Sequence, residues 1–457
     1  MAKTLSSFLE EISGQPGDLR RVTRRIRPQA FEATALLEHW DRRDESFAVW
    51  FEQPENLKGE PSEFSLVSNI FGTRERVARA IGHPVDQPRL PLSLEMARRE
   101  RLSVPSERCP GPAPVQEQVW TGEALDVTRL PMVRHFEKDL GPVLTMAFAL
   151  KDPDEGFYEI SFAKAFYKDS AWRMAASFHT SHLERVLAKY HQRGQAAPTI
   201  HILGHHPAFY LGVLAATPFG TNDYDTVGAY LGEPLRLAPS VTWGEDFLVP
   251  ADAEIILEGE IPPGERMVVD PFGEVTRFYQ PQRLRQAFHV KAMTARKGAI
   301  YQDIFSGHRG HWNLSAIPKE GSIDNALQQR FGNVVAVHMP HSMCSRLGCY
   351  VSIRKQKEGI AKQVGHAALL ESVLMNFVAV VDEDIDVFNE SDVVWALASY
   401  TDPSRDVDLL RNSFIPFNTA AGFQKVVIDA TRPLDYPFPE RFKVPDAVMA
   451  AMRPEDW

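Results

Sequence analysis

Apolar and polar residues alternate with a period of two from Ala253 to Ile261. Ala253, Ile255, Leu257, Gly259 and Ile261 fall on one face, and Glu254, Ile256, Glu258 and Glu260 on the other. That period predicts a half-buried strand, which Pro262-Pro263-Gly264 ends. Beyond the turn, Asp270-Pro271-Phe272-Gly273-Glu274 sets a proline of fixed φ and a permissive glycine around an aromatic ring. Glu274 is thereby presented on a constrained loop as a candidate proton donor; on these residues alone, a capping or solvated carboxylate is the plainer reading.

The period changes to that of a helix at Leu5, Phe8, Leu9 and Ile12, ahead of Gly14, Pro16 and Gly17. Residues 47–51 and 64–67 read as strands, and Thr73 opens a helix that Gly82 stops. Seven prolines between Pro84 and Pro114 suggest a semi-rigid connector, with one helical piece over 94–101. From about Val119 the chain is strand-rich, with helices over 183–190 and 207–214. After Asn325, strands over 334–337, 349–353 and 377–381 alternate with a helix over 366–374, which favours an α/β arrangement, and a short helix closes the chain near 447–452. The expectation is an α+β protein of three parts, 1–117, 118–315 and 316–457.

Composition narrows the function class. In 457 residues, 44% are hydrophobic and 24% charged, as in soluble globular proteins. The net charge of −10 argues against nucleic acid, whose binders carry a basic face. No apolar run reaches the roughly 18 residues that a membrane span needs, and the N-terminus lacks the apolar core of a signal peptide. Cys109, Cys344 and Cys349 are too few for a disulfide framework. A cytoplasmic enzyme without membrane or nucleic-acid partners is expected. His205-His206, and His308 with His311 in Gly307-His308-Arg309-Gly310-His311-Trp312, are candidate acid–base groups on loops after strands. The acidic run from Asp382 to Asp386 reads as a solvated strand-end turn.

Three blocks, in order, resemble the UbiD family of decarboxylases: Ser68–Ala78 (SNIFGTRERVA), Val249–Glu274 (VPADAEIILEGEIPPGERMVVDPFGE), and Val381–Asp386 followed by Val394-Trp395-Ala396 and Thr401–Asp406. The resemblance implies an N-terminal α/β domain, a central split β-barrel that holds flavin, and a C-terminal α/β dimerisation domain. It implies prenylated FMN as electron sink for a small aromatic or α,β-unsaturated carboxylic acid, a flavin prenyltransferase as supplier, and a homodimer or higher homo-oligomer. Small residues at Ala215-Ala216-Thr217-Pro218 would let backbone N–H groups approach the flavin phosphate, with Ser161, Phe162 and Ala163 beside them. A divalent cation, Mn²⁺ or Mg²⁺, with K⁺ as a further candidate, would be held at Glu159, His182 and Asp223, with His179 and Asp225 as alternatives. Val275, His308, Arg309 and His311 would line the substrate pocket.

The chain departs from the family pattern where the chemistry is densest. Glu159 stands for an asparagine and Asp223 for a glutamate. Of the family's Glu-Arg-Glu network only Glu274 is kept: Lys164 occupies the arginine position and Val269 that of the first glutamate, with Asp270 beside it. Lysine keeps the charge but loses the fork that grips a carboxylate with two parallel hydrogen bonds. The implied activity is non-oxidative (de)carboxylation with Glu274 as acid/base, Lys164 as carboxylate partner and Asp270 as a substitute for the missing glutamate. A plain FMN-dependent oxidoreductase and a non-catalytic flavin-binding subunit of a multi-component carboxylase are the alternatives.

Overall fold

Thr4 and Ser7 cap each other reciprocally at the first helix, Leu5–Ser13, which buries the four residues whose spacing marks it. In the computed structural model, which describes residues 2–168, 170–178, 181–414, 424–439 and 441–452, that helix covers a sheet of order Leu19–Val22, Ala48–Phe51, Ser65–Ser68 and Ile300–Gln302. The last strand arrives from beyond the central barrel and pairs parallel with Ser65–Val67, so the first sheet is completed only when the chain returns. Thr73 caps helix Arg74–Ala80 by accepting from Arg76 N. The connector helix lies at Leu90–Arg99, starting earlier than expected because Pro91 fits a first turn.

The central part is a six-stranded barrel. Strands Ile255–Ile261, Ala197–Leu203, Val143–Lys151, Tyr158–Tyr167, Arg173–Ser177 and Arg283–Ala295 pair in that order, and the first and last pair with each other to close it. Phe148 stacks on His201 at 4.0 Å and meets Phe178 and Phe288 edge-on. The strand expected to be half-buried is instead buried on both faces. Closure encloses one face and loops cover the other: the buried Glu258 accepts hydrogen bonds from Ser240 Oγ and the N–H groups of Val241 and Thr242, while Glu254 accepts from Arg296 and Ile300 N.

One long helix, Arg309–Phe331, carries the chain out of the barrel. The segment around His308 and His311, expected as a loop, is its N-cap and first turn. It leads to a sheet of order Val334–His338, Gly348–Ile353, Phe377–Asp382, Lys425–Ala430 and Val407–Leu410, whose inner pairs are parallel. The helix expected over 366–374 is Ile360–Leu370, opened by Gly359 in the left-handed conformation. Asp382, expected in a solvated turn, is buried and paired with Arg432 at 3.0 Å. Glu320, fully buried on the long helix, accepts from Arg74, Ser93, His338 and Met339 N, tying first part, connector and last sheet together. Cys109, Cys344 and Cys349 are free thiols.

Candidate active site

Between the barrel and the last sheet lies a cavity of about 440 Å³, within the range of small-molecule sites. Phe162, Ala163 and Lys164 come from the barrel strand Tyr158–Tyr167, Glu274 and Val275 from the turn between Phe272–Gly273 and Tyr279–Gln280, His311 and Leu314 from the long helix, and Arg346 from the last part. The walls are mainly apolar, with polar groups concentrated around Lys164 and Glu274.

Glu274 is held by its own loop. Phe272–Gly273 pairs with Tyr279–Gln280, Glu274 N donates to Phe278 O, and Arg277 N donates to Glu274 O, with Arg277 left-handed at φ 63°. A Cβ on Gly273 would stand 2.2 Å from the Phe136 ring, so only glycine fits this close approach. Asp139 accepts from Gly273 N and from Phe136 N, fixing both sides of the contact. The carboxylate takes the 2.6 Å hydrogen bond of Lys164 Nζ on Oε1 and that of Val275 N on Oε2. Lys164 Nζ also lies 4.9 Å from the Phe272 ring centre, within cation–π range. Where the family pattern has a further glutamate, Val269 is buried against Val143, Phe166, Ala175 and Phe272, so apolar packing fills that place.

Other expected residues divide. Val275 and His311 line the cavity, and burial pushes the His311 imidazole down to about 3, leaving it neutral. His308 occupies the N-cap position of the long helix without a side-chain capping bond and stacks on Phe305, and Arg309 turns away to pair with Asp41 and Asp44. Asp270 pairs with Lys168 at 2.6 Å and lines a different surface pocket. His205 and His206 are buried at the start of helix Pro207–Val213, where His206 Nδ1 accepts from Ala208 N.

Glu159 and Lys164 are five residues apart on a strand whose register to Val143–Lys151 has no shift, so they face opposite sides. On its side, Glu159 Oε1 lies 3.2 Å from His182 Nδ1. Asp223 accepts from Ile160 N and Thr217 Oγ1. Burial raises the Glu159 carboxyl, and the neighbouring Asp223 charge raises it further; burial also raises Asp223. The oxygen and imidazole donors suit a hard divalent ion, but no group of three or more metal-ligating side chains is assembled among the described residues. Asp225 is committed to Ser106 N, and His179 lies outside the described residues. Ala215–Pro218 follows Leu214, a cavity-lining residue, and is partly to fully exposed.

Sequence reasoning missed Arg346 and the support around Glu274 from Phe136, Asp139 and Trp312, whose Nε1 donates to Val275 O. Each is far from Glu274 in sequence except through the fold.

Family models for 3-octaprenyl-4-hydroxybenzoate carboxy-lyase match in three parts: the N-terminal domain over residues 11–89, the Rift-related domain over 107–309 and the C-terminal domain over 313–430. Among solved structures, an evolved dimeric form of the UbiD-class enzyme HmfF from Pelotomaculum thermopropionicum, in complex with prFMN, is 30% identical, covers 100% of both chains and has a TM-score of 0.88. HmfF in complex with FMN is also 30% identical, over 99% of this chain and 100% of that one, with a TM-score of 0.90. Vanillic acid decarboxylase of Sedimentibacter hydroxybenzoicus in open form is 26% identical over 98% and 97%, with a TM-score of 0.84.

Proposed function

Because this chain belongs to the UbiD family of carboxy-lyases, we propose that it is a prenylated-FMN-dependent (de)carboxylase of an aromatic or α,β-unsaturated acid, with Glu274 as acid/base and Lys164 as carboxylate partner. The observation that carries this reading is the buried Lys164–Glu274 pair on the wall of a mainly apolar cavity.

Loss of carboxylate from an sp² carbon strands an electron pair that no side chain can hold, and the modified flavin would supply the electron sink. Phe162, Ala163 and the Ala215–Pro218 segment, with Ser161, are the residues that would hold it. A divalent ion, Mn²⁺ or Mg²⁺, would sit with Glu159, His182 and Asp223, relieving the repulsion between two neighbouring carboxylates.

The remaining work falls to this chain's own groups. With no acid bound, Lys164 Nζ donates a short hydrogen bond to Glu274 Oε1. An entering carboxylate competes for the ammonium and adds a like charge, which favours transfer of a proton from solvent to Glu274 as the acid enters. Glu274 Oε then delivers that proton to the carbon that CO₂ vacates, and the pair re-forms. Apolar walls exclude water, so the proton comes from a fixed donor.

The reading includes a cytoplasmic homo-oligomer, supplied by a flavin prenyltransferase, that buries apolar surface of the last part such as Leu370 and Val394, 74% and 55% exposed. Among the described residues no helix is long and apolar enough to cross a membrane. Anaerobic reconstitution with prenylated FMN, followed by CO₂ release from vanillate, 3,4-dihydroxybenzoate and related acids, tests the activity. Turnover that survives in Glu274→Gln removes the acid/base assignment, and mass spectrometry revealing only unmodified FMN in active enzyme would favour an oxidoreductase.

A further inference from the structure

Arg346 is a cation on the cavity wall that the reaction above leaves unused. It belongs to the last part of the chain, on the turn between Val334–His338 and Gly348–Ile353, yet it lines the same cavity as Lys164 and Glu274. Its Nε is shielded from solvent without a hydrogen-bond partner, and its guanidinium makes no ion pair among the described residues. Burial disfavours its charge, and the Glu274 carboxylate across the cavity favours it. A half-buried guanidinium whose shielded Nε has no partner is costly, so a site that keeps one is arranged for an anion that arrives later.

The turn is built to aim this side chain. Cys344 and Ser345 both have positive φ, 54° and 50°, uncommon for residues other than glycine. Cys344 N donates to His341 O and Ser345 N to Pro340 O, closing the turn tightly. Cys344 packs against Val275 and Trp312, and His341 Nε2 lies 2.8 Å from Asn313 Oδ1. The loop carrying Arg346 is thus keyed to the residue next to Glu274 and to the long helix. Lys164, by contrast, is engaged by Glu274 and offers a point charge without a fork. Arg283 also reaches the cavity, but it is exposed.

We propose that Arg346 is the carboxylate-gripping residue of this site, a guanidinium fork delivered from the C-terminal part that selects anionic acids over neutral analogues of the same shape. The inference rests on the proposed function for the kind of substrate, but binding tests it without turnover. It gives the acid two cations, the Lys164 ammonium that it shares with Glu274 and the Arg346 fork that sets the preference for an anion. It also means that the acid bridges two parts of the chain, holding the cavity together while it is bound.

The experiment is a titration of the flavin-loaded enzyme with 3,4-dihydroxybenzoate and separately with its neutral amide, followed by tryptophan fluorescence, for wild type, Arg346→Lys and Arg346→Met. Charged hydrogen bonds of this kind correspond to roughly 10- to 100-fold in affinity. The expected result is a loss of that size for the acid in Arg346→Met, a smaller loss in Arg346→Lys, and amide binding within about threefold throughout. Equal weakening of acid and amide, undiminished acid binding in Arg346→Met, or loss of bound flavin in Arg346→Lys would each overturn the assignment, the last by giving Arg346 to the cofactor. Selective acid binding without CO₂ release in the wild type would instead count against the proposed reaction while leaving Arg346 as the anion site.

Discussion

Lys164 Nζ lies 2.6 Å from Glu274 Oε1 while each side chain is only 7% exposed. A pair this buried is worth little as a source of stability, because desolvation offsets most of the attraction, but removing one member leaves an uncompensated charge. Lys164→Met should therefore lower unfolding free energy by about 3 kcal/mol. The double variant Lys164→Met/Glu274→Gln should recover more than half of that. Denaturant midpoints for the two singles and the double close the cycle; additive losses would mean the two groups do not act as a pair.

Gly273 bears on the same carboxylate from the other side. Its missing Cβ is the space that the Phe136 ring occupies. Gly273→Ala should cost about 1–3 kcal/mol as an overpacked site and should reduce turnover more than substrate affinity, since it displaces Glu274 rather than the acid-binding wall. Adding Phe136→Leu should restore stability and part of the turnover. Unaltered stability in Gly273→Ala would show that the ring moves aside freely.

The fold was legible wherever a local period or a cap decides it. Leu5, Phe8, Leu9 and Ile12 mark their helix, Thr73 caps the next, and the apolar strands after residue 334 lie where the pattern sets them. What misled is burial decided by distant elements: Glu254 and Glu258 read as an outward face, yet Arg296, Ile300 N and Ser240 receive them inside. The long helix took up His308 and Arg309 at its start, where His308 stacks on Phe305 and Arg309 pairs with Asp41. Glu274, Lys164 and His311 were reachable because motif and resemblance flag them. Arg346 was not, since it follows Cys344 and Ser345 in a turn without any sequence signature and comes to the cavity of Glu274 only when the fold packs Cys344 on Val275.

Glu320 makes a pH prediction whose sign can be worked out. Burial alone would raise its carboxyl, but the Arg74 guanidinium and His338 outweigh it and hold it down at about 2, against an ordinary value of 4.5. A carboxyl lowered by folding contributes stability that is fully present above its unfolded value and is lost as pH falls through the folded one. Stability should thus decline as pH drops from about 5 to about 2, and Glu320→Gln should flatten that part of the curve while lowering stability at neutral pH, where Arg74 loses its partner. Urea unfolding at stepped pH measures both; an unchanged acid-side slope in Glu320→Gln would place the acid sensitivity elsewhere.

Ser345 offers a test of how the turn before Arg346 works. Its φ of 50° lies in the left-handed region, and its buried hydroxyl has no hydrogen-bond partner among the described residues. Glycine accepts this conformation without a steric cost, whereas a β-branched residue does not. Ser345→Gly should therefore hold or slightly raise the unfolding midpoint. Ser345→Val should lose about 1–3 kcal/mol from backbone strain and should also weaken binding of 3,4-dihydroxybenzoate more than that of its amide, because the side chain it aims is Arg346. Thermal unfolding and the two titrations separate the effects. A valine variant that loses stability but keeps its preference for the acid would show that the left-handed turn serves packing of Cys344 on Val275 rather than the direction of the guanidinium.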